Sequence, residues 1–253
     1  MDPIKISAKN LGQTALEDFC PRCYWIKLRM GFKLPYQSFP GVFSSIDSFT
    51  KAAVHHMIDS SNERPSRQIK SQGSYFEYPE WLKELGDVVG YEPVKHWSKN
   101  TYHDKKSNIT MHGAQDDILI LSDKSRVCPD YKTSKLTENQ DKLFKMYEIQ
   151  SNVYGILMGD NPKLFLVYMQ PETEHESACD SFIDTGFSMC FNAAVVPVET
   201  NKAKVRQALT ITRDIYELQQ PPSPRQGCKE CAALDKIIGL LGMGKVSNAG
   251  LEE

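Results

Sequence analysis

The stretch that decides the fold is MHGAQDDILILSDKSRVCPDYKTSK, Met111 to Lys135. Its apolar runs, Thr110–Ser122 and Ser125–Lys132, read as two strands. Asp123-Lys124 between them reads as a tight connection, so the pair is predicted to be a hairpin. Acids and a lysine interrupt these runs: Asp116 and Asp117 in the first, Asp130-Tyr131-Lys132 in the second. Asp130 and Lys132 are two apart and share a strand face. An acid on the neighbouring strand can project toward that face. Two carboxylates, a backbone carbonyl and water suit Mg2+ or Mn2+, hard cations that take oxygen ligands. A lysine beside them can orient a nucleophile or offset charge on a phosphoryl group. The same spacing also suits ordinary surface charges on two exposed strands.

Working outward, Thr137–Met158 is predicted to be a long helix, with Leu143, Met146, Tyr147, Gln150, Tyr154 and Leu157 largely on one face. Asn161-Pro162 breaks it. Lys163–Gln170 is predicted to be a third strand and residues 185–198 to hold a fourth. Lys202–Leu218 reads as a helix stopped by Pro221, Pro222 and Pro224. On the N-terminal side, residues 7–30 read as a helix capped by Ser7, a Cys-Pro-Arg-Cys turn and a second helix. Ile46–Ile58 reads as an amphipathic helix, and residues 60–74 as a polar loop. The order predicts an α/β (α+β) fold with a mixed central sheet flanked by helices. One domain is expected over 1–238: an N-terminal helical part (1–100), a core (101–200) and a C-terminal helix with its cysteine pair (201–238). Residues 239–253 are expected to form a loose tail.

The 253 residues, 40% hydrophobic and 25% charged, are enough for a sizeable core. No run of about 18 apolar residues predicts a membrane helix. MDPIKISAKN lacks the apolar segment of a signal peptide, so an intracellular location is expected. A net charge of −2 argues against a protein coated in positive charge without excluding nucleic acid. Four of the seven cysteines form two pairs, Cys20/Cys23 and Cys228/Cys231. In a reducing compartment such spacing reads as metal ligation. If all four serve one centre, it ties the N- and C-terminal segments together. Four thiolates suit Zn2+ or a [4Fe–4S] cluster. Cys128, Cys179 and Cys190 read as isolated core or surface thiols.

These motifs together resemble the PD-(D/E)XK nuclease superfamily, and within it the RecB-like branch. Gly113-Ala114-Gln115-Asp116 before Ile118-Leu119-Ile120 is similar to its second motif. Asp130-Tyr131-Lys132 is similar to the third, and Gln150-Ser151-Asn152-Val153-Tyr154 to the following helix motif. The Cys-Pro-Arg segment from Cys20 and the C-terminal Cys228/Cys231 motif resemble those of branch members with an iron–sulfur centre, among them CRISPR-associated spacer-trimming exonucleases; that centre usually takes one N-terminal and three C-terminal cysteines, where this chain offers two and two. The resemblance implies a restriction-endonuclease-like core. It implies Asp116 and Asp130 as ligands of Mg2+ or Mn2+, and Lys132 as a catalytic group. Gln150 and Tyr154 would approach the metal or the DNA. It also implies Cys20, Cys23, Cys228 and Cys231 around a [4Fe–4S] cluster, with Zn2+ as the alternative. His55 takes the place of a further family ligand, but Lys51 stands where the family pattern has glycine. By the motif count the ligand is Asp116, and Asp117 is a supporting acid or turn partner.

The implied activity is hydrolysis of DNA, single-stranded or end-bearing, and the expected partners are DNA and a protein of a DNA-processing complex. The rival is a non-catalytic nucleic-acid-binding or complex-forming protein on the same fold. Lys105, Lys106, Lys132, Lys135, Lys142, Lys145, Arg22 and Arg29 form a candidate phosphate path. No sequence-reading module is visible.

Overall fold

The computed structural model describes residues 3–33, 41–62, 68–71, 74–174, 176 and 181–241. Its centre is a five-stranded mixed sheet. The strands are β4 (Val88–Tyr91), β7 (Leu119–Leu121), β8 (Arg126–Thr133), β9 (Lys163–Pro171) and β12 (Phe191–Val198), in the order β12-β9-β8-β7-β4. Only β8 and β9 are parallel. They are joined by the long helix α5 (Glu138–Met158), which ends at Gly159 in the left-handed conformation, φ 82°. A parallel pair needs such a crossover. The β7–β8 connection is tight, with Lys124 at φ 68° and the Asp123 carboxylate accepting from Ser125 N at 2.8 Å.

Alternation along the strands sends side chains to two cores, one on each face of the sheet. Cys128, Leu164, Leu166 and Tyr168 pack with Ile149, Val153 and Tyr154 of α5. That layer also holds α1 (Ala8–Gly12), α2 (Pro21–Arg29) and α6 (Lys202–Glu217). Val127, Tyr131, Val167 and Met169 face the other way, toward Val54 and Ile58 of α3 (Gly41–Asn62) and Leu82 of α4 (Glu80–Glu84). The cap residues fit: Ser7 Oγ accepts from Asn10 N at 3.2 Å, and Asn201 Oδ1 accepts from Ala203 N and Lys204 N. Gly12 lets α1 ride directly on α5, since a Cβ there would meet Met146 O at 2.4 Å.

Several expectations are corrected. The predicted strand Thr110–Ser122 is two strands in two sheets. Its first part is β6 (Ile109–His112), which pairs with β1 (Ile4–Ser7) and β5 (Thr101–Asp104) in a separate three-stranded sheet. Its last part is β7, and the chain bends between them at Asp116. The hairpin with β8 therefore spans only Leu119↔Val127 and Ile120↔Arg126. The Cys20–Cys23 segment is no turn: Pro21 opens α2 and Cys20 is its N-cap. The helix predicted over Ile46–Ile58 extends to Gly41–Asn62. The fourth strand starts at Phe191, preceded by a small antiparallel pair, Phe182–Ile183 with Gly186–Phe187. Residues 1–100 contribute strands as well as helices, among them β1 and β4. The C-terminal helix α7 (Lys229–Leu240) runs into the predicted tail, and residues 242–253 lie outside the described residues, as does Cys179. No described helix is long and apolar enough to cross a membrane.

Candidate functional site

The site forms where β7 begins and β8 runs on past it. Beyond Val127, β8 has no β7 partner on that side. Asp116 fills the gap, its Oδ2 accepting from Tyr131 N at 2.9 Å. A carboxylate thus takes a bond that a strand would otherwise supply, which satisfies a backbone donor without extending the sheet. Asp130, two residues past Cys128 on β8, points toward α5 and is 1% exposed. There Gln150 Nε2 donates to Asp130 Oδ1 at 3.4 Å and to Tyr154 Oη at 2.9 Å. Lys132 Nζ lies 2.6 Å from Asp130 Oδ2 and 4.5 Å from the centre of the Tyr147 ring.

The sequence-predicted group Asp116, Asp130, Lys132, Gln150 and Tyr154 is therefore gathered at one place. Asp130 lies close enough to Asp116 for the two carboxyl groups to oppose each other's ionisation. Burial, and then the neighbouring Asp130, push the Asp116 carboxyl up to about 7. Burial of Lys132 opposes its charge, but Asp130 and Asp116 outweigh this and hold its ammonium pKa above the ordinary value. Gln150 Oε1 is buried with no hydrogen-bond partner among the described residues. Two adjoining carboxylates and an unpartnered amide oxygen are a donor set that suits a hard divalent cation.

His55 joins a different acid. Its Nε2 lies 2.9 and 3.1 Å from the two oxygens of Asp117, and its ring stacks on Tyr91 at 3.6 Å. Tyr91 Oη in turn donates to Asp59 at 3.0 Å. Asp117 is buried and also accepts from Tyr131 Oη at 3.3 Å. Its oxygens are thus taken up by His55 and Tyr131. The chain is bent at Asp116 and not yet a strand, and the two adjacent acids face different partners.

The bend is held from three sides. Asn100 Nδ2 donates to Gly113 O and Gln115 Oε1, each at 2.9 Å, and Gln115 Nε2 donates to Tyr154 O at 3.4 Å. A Cβ on Gly113 would meet the Tyr154 ring at 2.8 Å, so glycine is what allows Tyr154 to reach Gln150. The ring of His112, beside Gly113, lies 5.4 Å from that of Trp97.

Sequence reasoning missed the partner of Asp116 on α3. Lys51 Nζ lies 3.6 Å from Asp116 Oδ1 and 2.9 Å from Asp47 Oδ2. The signal was present: Asp47, Lys51, His55 and Asp59 recur every four residues along one helix face. Several cations read as a phosphate path are used internally. Arg22 is paired with Asp235, Arg29 donates to Tyr216 O and Leu218 O, and Lys145 is paired with Glu17.

The four cysteines form a second site. Cys20 is the N-cap of α2 and Cys228 of α7, with Cys23 and Cys231 in the first turns. Their sulfurs all lie within 4.8 Å of one another, with Cys23–Cys231 at 3.2 Å, Cys23–Cys228 at 3.5 Å and Cys20–Cys231 at 3.6 Å. Two helix N-termini facing one cluster favour thiolates. Burial raises the Cys20 pKa, but backbone hydrogen bonds from Cys23 and Arg225 outweigh it and bring the thiol to about 7. Burial and the neighbouring sulfurs push Cys23 well up. The cluster is capable of holding a metal and joins the two ends of the described chain. The bidentate Arg22–Asp235 pair bridges the same two helices.

No protein-family model matches the sequence, and no curated relative does. Among solved structures, one described as "Crystal structure of SSO0001" aligns with 100% of this chain and 89% of its own. The identity is 14% and the TM-score 0.37.

Proposed function

We propose that the protein is a metal-dependent nuclease of the PD-(D/E)XK kind that hydrolyses phosphodiester bonds in DNA. The observation that carries this reading is the adjoining pair Asp116 and Asp130, with Lys132 seated on Asp130. Like charges held this close oppose ionisation of both unless a cation joins them. Mg2+ or Mn2+ held by these two acids would supply Lewis-acid charge and a nucleophile at neutral pH. Lys132, anchored at Asp130 and over Tyr147, is placed to orient a nucleophile and to offset charge gathering on phosphoryl oxygens. Gln150 and Tyr154 position Asp130 from the helix side. His55 supports the site through Asp117. In this reading β7, β8, α5 and β9 are the restriction-endonuclease-like core.

The cysteine centre is structural in this proposal. With metal–sulfur bonds of about 2.3 Å, a tetrahedral ion sets its sulfurs roughly 3.8 Å apart. The separations of 3.2, 3.5 and 3.6 Å suit one such ion, zinc by its ligand type. A [4Fe–4S] cluster, with each thiolate on a different iron, needs a wider cage.

The test is cleavage of end-labelled single- and double-stranded DNA with Mn2+ or Mg2+, by native protein and by Lys132→Ala. The expected result is a product ladder with the native protein and its loss in the variant, with both folded. Equal cleavage by the two, or none by well-folded, metal-replete native protein, would defeat the reading.

A further inference from the structure

The position that breaks the expected pattern, Lys51, lies inside the site. It is on α3, one turn before His55, and is only partly exposed. Its ammonium touches Asp116, as that of Lys132 touches Asp130. Each of the two adjoining carboxylates therefore has its own lysine, one from a helix above the open edge of β8 and one from β8 itself. Asp47, a turn before Lys51, holds its side chain at 2.9 Å and aims it at the acid.

Phosphodiester hydrolysis needs positive charge near both the attacking and the leaving oxygen, which two-metal sites meet with two ions. Here two acids and two lysines sum to zero, and one divalent ion brings the total to plus two. That matches a phosphodiester anion with a hydroxide. A second divalent ion would have to share Asp116 with an ammonium 3.6 Å from its Oδ1.

Building on the nuclease reading, we infer that Lys51 is a working cation of this site. It stands in for a second metal ion, faces the substrate phosphate opposite Lys132 and limits the acids to one divalent cation. The glycine-to-lysine departure in the sequence is thereby a change in how the charge is supplied.

The test counts Mn2+ bound by the full chain with its cysteine centre loaded, using the electron paramagnetic resonance signal of free Mn2+. The proteins compared are native, Lys51→Met, Lys51→Arg and Asp130→Asn. Native protein is expected to bind one Mn2+ at the acids. Lys51→Met is expected to bind it about tenfold tighter, as one like charge is removed at close range in a partly buried site, or to admit a second ion. Its DNA cleavage should nonetheless fall at least tenfold, with Lys51→Arg retaining more. Two Mn2+ at the acids of native protein, or Lys51→Met with native affinity and native cleavage, would overturn the inference and leave the nuclease reading standing. Mn2+ binding that is absent in native protein, or unchanged by Asp130→Asn, would overturn the nuclease reading and this inference with it.

Discussion

His55 Nε2 faces both carboxylate oxygens of Asp117, while the adjacent Asp116 faces Lys51, one turn earlier on the same helix. Two neighbouring acids are thus divided between two neighbouring turns of α3, and each has its own cation-capable partner. Asp117→Ala should be costly. It leaves the buried hydroxyl of Tyr131 and the ring of His55 without their acceptor, for a loss of about 1–3 kcal/mol. Urea unfolding checks this, and a midpoint equal to native would show that the pairing contributes nothing to stability.

Asp116 makes the metal-free protein pH-sensitive. Its folded pKa of about 7 stands above its ordinary 3.8, so the folded state holds a proton that the unfolded state has released. This contribution is fully present below about pH 4 and is lost as pH rises through 7. Without added Mg2+ or Mn2+, the melting temperature should decline between pH 5 and 8 through this group, and Asp116→Asn should flatten the decline. Divalent binding competes with that proton and should tighten over the same window. An affinity for Mn2+ that weakens as pH rises would contradict the assignment.

Gly113→Ala tests the packing beneath Tyr154. The added methyl falls 2.8 Å from the ring, so ring or backbone must shift. Overpacking of this kind costs about 1–3 kcal/mol. It should also disturb the Tyr154–Gln150–Asp130 chain, so cleavage should fall more than stability explains. A variant with native stability and native turnover would show that the close approach is dispensable.

Removing the cysteine metal should loosen the two chain ends while the central sheet persists. Chelation, or Cys231→Ser, should lower the melting temperature by several degrees and expose the segment around α7 to protease. Cys190→Ser, at an exposed thiol, should leave the metal content unchanged. Full metal content in Cys231→Ser would count against a four-thiolate centre.

The strand–helix–strand unit from β8 to β9 was legible because the helix carries its own period of nearly four, while the strands read as short apolar runs that are buried on both faces of the sheet. Asp130, Lys132, Gln150 and Tyr154 came with it, since their spacing is local. The break between β6 and β7 was not legible. Apolar residues flank it on both sides, and the choice of sheet rests on pairing with Ile4–Ser7, more than a hundred residues earlier. The short run Ile4–Ser7 was hidden by the cap at Ser7, which announces the helix that follows. Lys51 and Asp47 were visible as a stripe, but which acid they face depends on how α3 docks, and no local pattern encodes that.

The cysteine cluster joins residues more than two hundred positions apart, with Cys231 near the end of the described chain. The acids, lysines and supporting helix all lie between residues 47 and 154. During synthesis from the N-terminus, every group of the carboxylate site therefore leaves the ribosome before the thiol cage can close. Until Cys228 and Cys231 emerge, Cys20 and Cys23 wait as a half-filled ligand set, open to passing metal ions and to oxidation. The nascent chain therefore has an interval in which its buried carboxylate group is complete but its clasp is still unfastened.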